Sequence, residues 1–558
     1  MKAQNQTDNL VFAALGGLGE IGMNMALYGV GTTRKRQWLM VDCGVAFAGE
    51  DLPGVDLIFP DPGFIVAERK NLLGIIITHA HEDHFGALAD LWPRLGAPVY
   101  MTPFSANLLE ARRLSEPGAP RIPVRGISQA SRFTLGPFDI ETIPVAHSIP
   151  ESMALAIRTA HGTVLHTGDW KIDETPIVGL PTDGNRLKEI GDEGVLALVC
   201  DSTNVTREGI SPSETEVRES LRQLILSAKG RVAVTTFASN VARIRSVAEA
   251  AAEAGREVIL VGRAMDRVKD VAAELGMLDG IASFRSADRF KTLARDKCVL
   301  LLTGSQGEQR AALARVAEGE HPEVTLAAGD TVVFSSRTIP GNEKGVGKIV
   351  NSLAKMGVEI ITDRDALVHV SGHPRKEELR RMYEWIRPQI AIPAHGEALH
   401  LTLHREFAKA MGVKEVIRAF NGDLVSLAPG EAAIINQVPN GRLVKDGNFI
   451  IPAADAAITE RRKLSFGGLV TIALGLDDRG VIVTDIGVEI VGLPKEDDEG
   501  EPMVEHIRDI VDEVFSSLPK AKRRDPEALR IAIERGVRAG VSEIWGKKPV
   551  TKVFVLEV

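Results

Sequence analysis

The sequence predicts an α/β protein of several domains. A metal-binding domain is interrupted by an inserted doubly wound α/β unit and followed by a small α/β module. Three observations carry this reading. Thr78-His79-Ala80-His81-Glu82-Asp83-His84 packs three imidazoles and a carboxylate directly behind the apolar run Leu72-Leu73-Gly74-Ile75-Ile76-Ile77. From about Ser211 to 365, apolar strand-like runs alternate with Ala- and Arg-rich helical stretches. Past 365 the histidines return, at His369, His373 and His395.

A chain of 558 residues is too long for one hydrophobic core. Its 44% apolar and 25% charged content is ordinary for a globular protein. No apolar run approaches the ~18 residues that span a bilayer. The start, Met1 to Gln6, is polar, and the apolar stretch after it is broken by Gly16, Gly17 and Glu20, unlike a secretory leader. The three cysteines, Cys43, Cys200 and Cys298, show no paired spacing. Cys43 and Cys200 adjoin strand-like runs, so buried free thiols and a reducing, cytoplasmic setting are expected. The net charge of −9 argues against a uniformly basic nucleic-acid coat but leaves room for a local basic groove.

Residues 1–210 read as the first part of the metal domain. Short strands with glycine turns occupy 10–48 and end at Trp38-Leu39-Met40-Val41-Asp42. Further strands are expected over Ile75–Thr78, Ile140–Ala146, Thr163–Thr167 and Val195–Cys200, and a helix from about Phe85. Pro212 and Glu214 mark a helix start that opens the insertion, 211–365. There Val232–Thr236 and Val258–Val261 alternate with helices, the pattern of a doubly wound unit. Its arginines, Arg243, Arg245, Arg263, Arg267, Arg285, Arg289 and Arg295, read individually as solvated helix faces. The metal domain resumes over 366–447, a linker with Arg461-Arg462-Lys463 follows over 448–465, and the last module fills 466–558. That module offers strands at Leu469–Leu474, Val481–Val491 and Val553–Val558, with two amphipathic helices between the last two.

A strand end that hands ligands to a helix N-terminus is a rigid place to hold metal. In an extended segment His79 and His81 point the same way, because side chains alternate with period two. Asp83 and His84 lie on the turn and can face a second ion. Four more metal-type residues sit at the mouths of buried strands: Asp42, His147, Asp169 and His395.

This set, with His79-Ala80-His81-Glu82-Asp83-His84 and the others in that order, resembles the metallo-β-lactamase fold. The 226 residues from Asp169 to His395 resemble the β-CASP insertion of its nucleic-acid-processing branch. Asp201 in Val199-Cys200-Asp201-Ser202-Thr203-Asn204 matches that branch's acidic motif. His369-Val370-Ser371-Gly372-His373 and Pro393-Ala394-His395-Gly396-Glu397 match its histidine motifs. Phe334-Ser335-Ser336-Arg337-Thr338-Ile339-Pro340-Gly341-Asn342-Glu343 and Thr236-Phe237-Ala238-Ser239-Asn240 are similar to segments of the bacterial ribonuclease J family. The expected architecture is an αββα sandwich, an inserted doubly wound β-CASP domain and a small C-terminal α/β domain.

The resemblance implies two zinc ions, with Mn²⁺ an alternative. His79, His81 and His147 would hold one, and Asp83, His84 and His395 the other, with Asp169 bridging. Asp42 would steady a ligand histidine. It implies in-line hydrolysis of RNA that leaves 5′-phosphate and 3′-hydroxyl ends. His373 would touch the scissile phosphate, Asp83 would orient water, and Asp201 belongs to the same catalytic set. Ala238, Ser239 and Asn240, with His369, Val370, Ser371, Gly372 and His373, would cradle RNA phosphates. RNA is the expected partner, with homo-oligomers through the C-terminal module and other RNA-decay proteins as further partners. The rivals are a small-molecule metallo-hydrolase, a DNA-directed β-CASP nuclease, and an RNA-binding scaffold that has lost ligands.

Three other patterns stand in the sequence. Gly17-Leu18-Gly19-Glu20-Ile21-Gly22, with Asp42 twenty residues beyond its last glycine, matches a dinucleotide fingerprint. The Gly-bounded segment after it reads better as the second strand of a hairpin than as a helix. His400 and His404 have helical spacing but no third partner. Glu50, Asp51 and Asp446 could form an accessory divalent site, for Ca²⁺ for example.

Overall fold

The structure is a computed structural model that describes residues 8–49, 51–339 and 341–558. Met1 to Gln6, Glu50 and Pro340 lie outside the described residues. Two compact units are present. One runs to Ala46 and from Ile58 to Arg442; the other takes Phe47–Leu57 and Leu443–Val558.

Two sheets form the heart of the first unit. An eight-stranded sheet runs, from edge to edge, through Ala433–Gln437, Asp423–Ala428, Asn9–Gly16, Met25–Gly31, Gln37–Val41, Leu72–Ile76, Val99–Met101 and Val124–Gly126. A seven-stranded sheet runs through Arg132–Leu135, Phe138–Pro144, Met153–Thr159, Gly162–His166, Ala197–Asp201, Ile390–Ala394 and Glu415–Val416. Phe12, Tyr28, Leu39, Val41 and Ile76 of the first pack against Leu155, Ile157, Val164, Val199 and Ile392 of the second. The alternate residues of the second sheet, Ala154, Ala156, Leu165, Leu198 and Ala391, face the opposite way. They meet Leu187 and Ile190 of helix Gly184–Glu193 and Leu379, Met382 and Ile386 of helix Lys376–Ile386. Burial on both faces is why these strands read as continuous apolar runs rather than as alternating ones. The metallo-β-lactamase layers are therefore present.

The insertion leaves from strand Ala197–Asp201 and returns in strand Ile390–Ala394, which pairs with it in parallel, Asp201 opposite Ala394. Between them lies a five-stranded, all-parallel sheet ordered Glu257–Val261, Cys298–Leu302, Val232–Thr235, Thr331–Phe334 and Glu359–Ile361. Its first helix, Glu214–Ser227, is capped by Ser213 with a reciprocal bond from Glu216, one residue beyond the expected Pro212 signal.

Arg243 corrects one sequence expectation. It is not on a solvated face but fully buried. Its Nη2 donates to both oxygens of Glu214 at 3.0 and 3.2 Å. Its Nη1 donates to the Val368 carbonyl at 2.8 Å and to the hydroxyl of Ser335. One guanidinium thus ties the inserted sheet to the backbone just before His369.

The glycine loop Gly17–Gly22 leads into strand Met25–Gly31, antiparallel to Asn9–Gly16, so no helix N-terminus meets a pyrophosphate there. In the second unit a three-stranded sheet, ordered Gly487–Val491, Leu469–Leu476 and Val550–Glu557, packs on helices Met503–Ser517 and Pro526–Trp545. Val481 to Ile486, expected in the middle strand, precede it. The stretch 448–465, expected as a linker, holds strand Phe449–Pro452 of a hairpin and most of helix Ala456–Gly467. Among the described residues no helix is long and apolar enough to cross a membrane. All three cysteines are buried and free.

Removing one partner of a buried ion pair strands the other charge. Arg243→Ala is therefore expected to destabilise the fold by about 3–5 kcal/mol, read from chemical denaturation. Arg243→Met paired with Glu214→Leu should recover most of that loss, because no charge is left unpaired.

Candidate metal centre

Strand Leu72–Ile76 ends two residues before Thr78, and helix Glu82–Phe85 begins directly after His81. Helix therefore starts earlier than the sequence suggested, inside the motif itself. His79 Nε2 and His81 Nδ1 lie 3.2 Å apart, and His147 Nε2 lies 3.0 Å from the same His81 nitrogen. Four nitrogens bound tetrahedrally at 2.0–2.1 Å would be about 3.3 Å apart. Burial pushes His79 and His81 well below the usual imidazole range and His147 to about 3. All three rings are neutral at physiological pH and offer lone pairs, as metal ligands must.

Asp169 lies on the loop after strand Gly162–His166. Its Oδ2 is 3.2 Å from His84 Nε2 and 3.3 Å from His395 Nε2. His147, His373 and His79 lie 3.8, 3.8 and 3.9 Å from the same oxygen. Asp83 Oδ2 is 3.6 Å from both His84 Nε2 and His395 Nε2. Burial works to raise the Asp169 carboxyl, but His395, His84 and His373 outweigh it and hold it well below the carboxylate range. Both Asp169 oxygens are buried without a hydrogen-bond partner. An anion that is charged, buried and undonated fits a cation at its oxygens, and the donor chemistry around it is that of a metal site.

Neighbouring groups fix three of the rings. Asp42, held at φ 65° after strand Gln37–Val41, accepts from His84 Nδ1 at 2.7 Å and from the Thr78 amide at 2.8 Å. Its hold on Nδ1–H turns His84 Nε2, which also lies 3.1 Å from Asn24 Nδ2, toward Asp169 and Asp83. His147 Nδ1 donates to the Gly372 carbonyl at 2.7 Å. A side chain at Gly372 would place Cβ 2.4 Å from that nitrogen, so glycine is required there. His395 Nδ1 donates to Asn24 Oδ1 at 3.0 Å, with His395 itself at φ 49°. Sequence reasoning missed Asn24 and Thr78. Asn24 stood only as a polar residue at a strand start, and nothing local marked its reach across 371 positions to His395.

His373 Nδ1 donates to Asp201 Oδ2 at 2.7 Å. Burial would depress His373, but the Asp201 and Asp169 carboxylates prevail and lift it to about 9. Asn240 is buried, and its side-chain oxygen caps helix Val241–Glu253 through the Arg243 amide at 2.9 Å. Ala238 and Ser239 are half-buried on the turn before it. Ser371 Oγ accepts from Asn204 at 2.9 Å, Val370 is buried, and His369 is half-buried beyond Val368. Arg243, three residues past Asn240, bonds the Val368 carbonyl and so ties the start of helix Val241–Glu253 to the residue before His369.

Among the described residues the remaining candidates do not assemble a further site. His404 is buried between Ser202 Oγ at 2.8 Å and the Tyr383 hydroxyl at 3.0 Å, a structural role. Both Asp446 oxygens are taken by Arg461 at 2.9 and 2.6 Å, which corrects the accessory-site expectation. Glu50 of that trio lies outside the described residues.

Fold and site together define a metal-dependent hydrolase of the metallo-β-lactamase superfamily, whose family model matches residues 27–235. The ribonuclease J β-CASP domain matches 229–353, the Zn-dependent metallo-hydrolase RNA specificity domain 357–419, and the ribonuclease J C-terminal domain 456–558. Ribonuclease J of Sinorhizobium meliloti is 55% identical over 99% of this chain and 98% of its own. Ribonuclease J of Mycolicibacterium smegmatis is 38% identical over 98% and 97%. A crystal structure of a protein of unknown function from Enterococcus faecalis shares the fold, with a TM-score of 0.52 and 16% identity over 75% of this chain and all of that one. The chain belongs to the ribonuclease J family.

Loss of a partner that orients a ligand typically weakens metal binding about 10–100-fold. Asn24→Ala is expected to do so by freeing His395, measured by chelator competition, while the circular dichroism spectrum stays unchanged. Metal affinity equal to that of the unmutated protein would mean that His395 is held by its backbone alone.

Proposed function

We propose that this chain is a zinc-dependent ribonuclease acting in RNA decay and in rRNA and mRNA maturation. It would degrade RNA 5′-to-3′ from 5′-monophosphate ends and also cut internally. The observation that carries this reading is the Asp169-centred donor set, with His373 and His395 contributed by the segment that matches an RNA specificity domain. His79, His81 and His147 would hold one ion, Asp83, His84 and His395 a second, with Asp169 shared. Zinc suits this imidazole and carboxylate set, and Mn²⁺ is the alternative. Such ions, when bound, lower the pKa of water to about 7 and neutralise charge on the phosphate.

The chain's own residues do the rest. Asp201 holds the Nδ1 proton of His373, so Nε2 is the atom that donates to a phosphate oxygen and to the departing 3′-oxygen. Asp83, 29% exposed, is placed to orient the attacking water. Asn240 is committed to its cap, so Ser239 and the amides at the start of helix Val241–Glu253 are the phosphate donors on one side. His369, Val370, Ser371 and Gly372 supply the other side. Such a cradle accepts one phosphate and crowds three. Three buried free thiols support a reducing, cytoplasmic setting.

RNA with a 5′-monophosphate is expected to be degraded from that end faster than the same RNA with a 5′-triphosphate, and chelation should stop both reactions. A hydrogen bond to a charged phosphate is worth ~1.5–3 kcal/mol, so Ser239→Ala should cut the monophosphate advantage roughly ten- to a hundred-fold while keeping its metal. Equal rates on the two RNAs would sink the cradle and leave internal cleavage alone.

The reading includes homo-oligomers through the C-terminal module. Its outer strands expose Phe554 (55%), Leu556 (60%) and Val491 (58%), apolar surface that a second copy can cover. Deleting 456–558 should keep bound metal but lower the mass seen by light scattering. An unchanged mass would remove this role.

A further inference from the structure

We infer that Glu378 is a positioning residue for the cleft, clamping three separate segments that carry its chemistry. Glu378 lies in the first turn of helix Lys376–Ile386 and is fully buried. Its Oε1 accepts from the Ile172 amide at 2.8 Å. Its Oε2 accepts from the amides of Ser211 and Arg375, both at 2.9 Å. Ile172 is three residues after Asp169, Ser211 opens the inserted domain, and Arg375 is two residues after His373.

Capping the helix requires only the bond to Arg375. The other two reach 206 and 167 positions along the chain and do nothing for the helix. Among the described residues no lysine, arginine or histidine lies within ion-pair distance of this carboxylate. The three amides are therefore what satisfies it, and a buried carboxylate without them would be costly. The clamp bears directly on His373. Ser211, fixed through its amide, donates its hydroxyl to the His373 carbonyl at 3.2 Å, and Asn204 donates to the same carbonyl at 3.1 Å. The ring of His373 is thus aimed from two ends, by Asp201 at Nδ1 and by the Glu378 clamp through its backbone. A neighbouring buried pair, Lys171 with Asp173, also holds the junction: Asp173 accepts from Ser213 Oγ at 2.7 Å and from the Glu214 amide at 3.1 Å. The junction therefore keeps this second set of bonds when Glu378 alone is altered.

This inference rests on the reading that His373 acts in phosphodiester cleavage. Glu378→Gln keeps the shape but turns a donor toward an amide that needs an acceptor. Misplacement of a reacting group by a fraction of an ångström to one ångström can cost up to about a hundred-fold in rate. The expected result is a kcat about ten- to a hundred-fold lower, with KM for a short 5′-monophosphate RNA and zinc content unchanged. Glu378→Gln combined with His373→Ala should be no slower than His373→Ala alone, because the clamp's effect on rate runs through His373. Multiplying effects in the double variant would overturn the inference, as would full activity in Glu378→Gln. Full activity in His373→Ala would instead defeat the underlying reading, and the inference with it. Should Glu378→Gln not fold, Glu378→Asp, with both acceptors on a shorter arm, carries the same comparison.

Discussion

Asp169 is buried with neither oxygen hydrogen-bonded, within 3.9 Å of the nitrogens of five imidazoles. A charged carboxylate in that position is tolerable only if positive charge is supplied to it. Much of the surrounding architecture serves this need. Imidazoles made neutral by burial cannot supply it, which is the state of His79, His81 and His147. The rings that are lifted instead, His84, His373 and His395, each lean on a carboxylate. Asp169 thus sits among imidazoles of two kinds, three lowered by burial and three raised by carboxylates, and the strand ends that converge on it set their spacing.

The same balance explains the backbone strain nearby. Asp42 and His395 both occupy left-handed conformations that a side chain normally avoids, at φ 65° and 49°. Each sits just past a strand end, where turning the chain sharply aims the side chain back over the sheet edge. Asp42 is then repaid by bonds to Thr78 and His84, and His395 by bonds to Asn24 and the Gly17 carbonyl. Strain at these two points is a consequence of bringing ligands from different strands to one carboxylate.

Much of this was legible in the sequence, for identifiable reasons. The ligand strands are buried on both faces, so they stood out as unbroken apolar runs ending in His or Asp. The hairpin reading of Asn24 to Gly31 held because glycines at both ends leave no room for a helix. What escaped shares one property: it depends on contacts between distant segments. Arg243 lies two residues before the half-buried Arg245, and nothing local separates the two, yet Glu214 and Val368 enclose it. Asn24 gains its role only when Asp83 and His84, some sixty positions on, and His395 arrive beside it. Asp446 looked like a cation ligand until Arg461, fifteen residues on, claimed both oxygens. The stretch 448–465 read as a linker because its polar residues hide a short strand and a helix start.

How an insertion of this size leaves the centre undisturbed follows from where it departs and returns. The chain goes out after Asp201 and comes back beside it, Ala394 paired opposite, so the two ends of the insertion are neighbouring strands of one sheet. Closing so long a loop costs only slowly growing entropy, and the parallel pairing restores the register. The position is also the productive one. The acid that orients His373 ends the outgoing strand, and His395 follows the incoming one. The helix that carries Glu378 packs on the outer face of the same sheet through Leu379, Met382 and Ile386. The inserted domain is thereby anchored at the edge of the centre, and Asp201, His373 and Glu378 lie by its two attachment points.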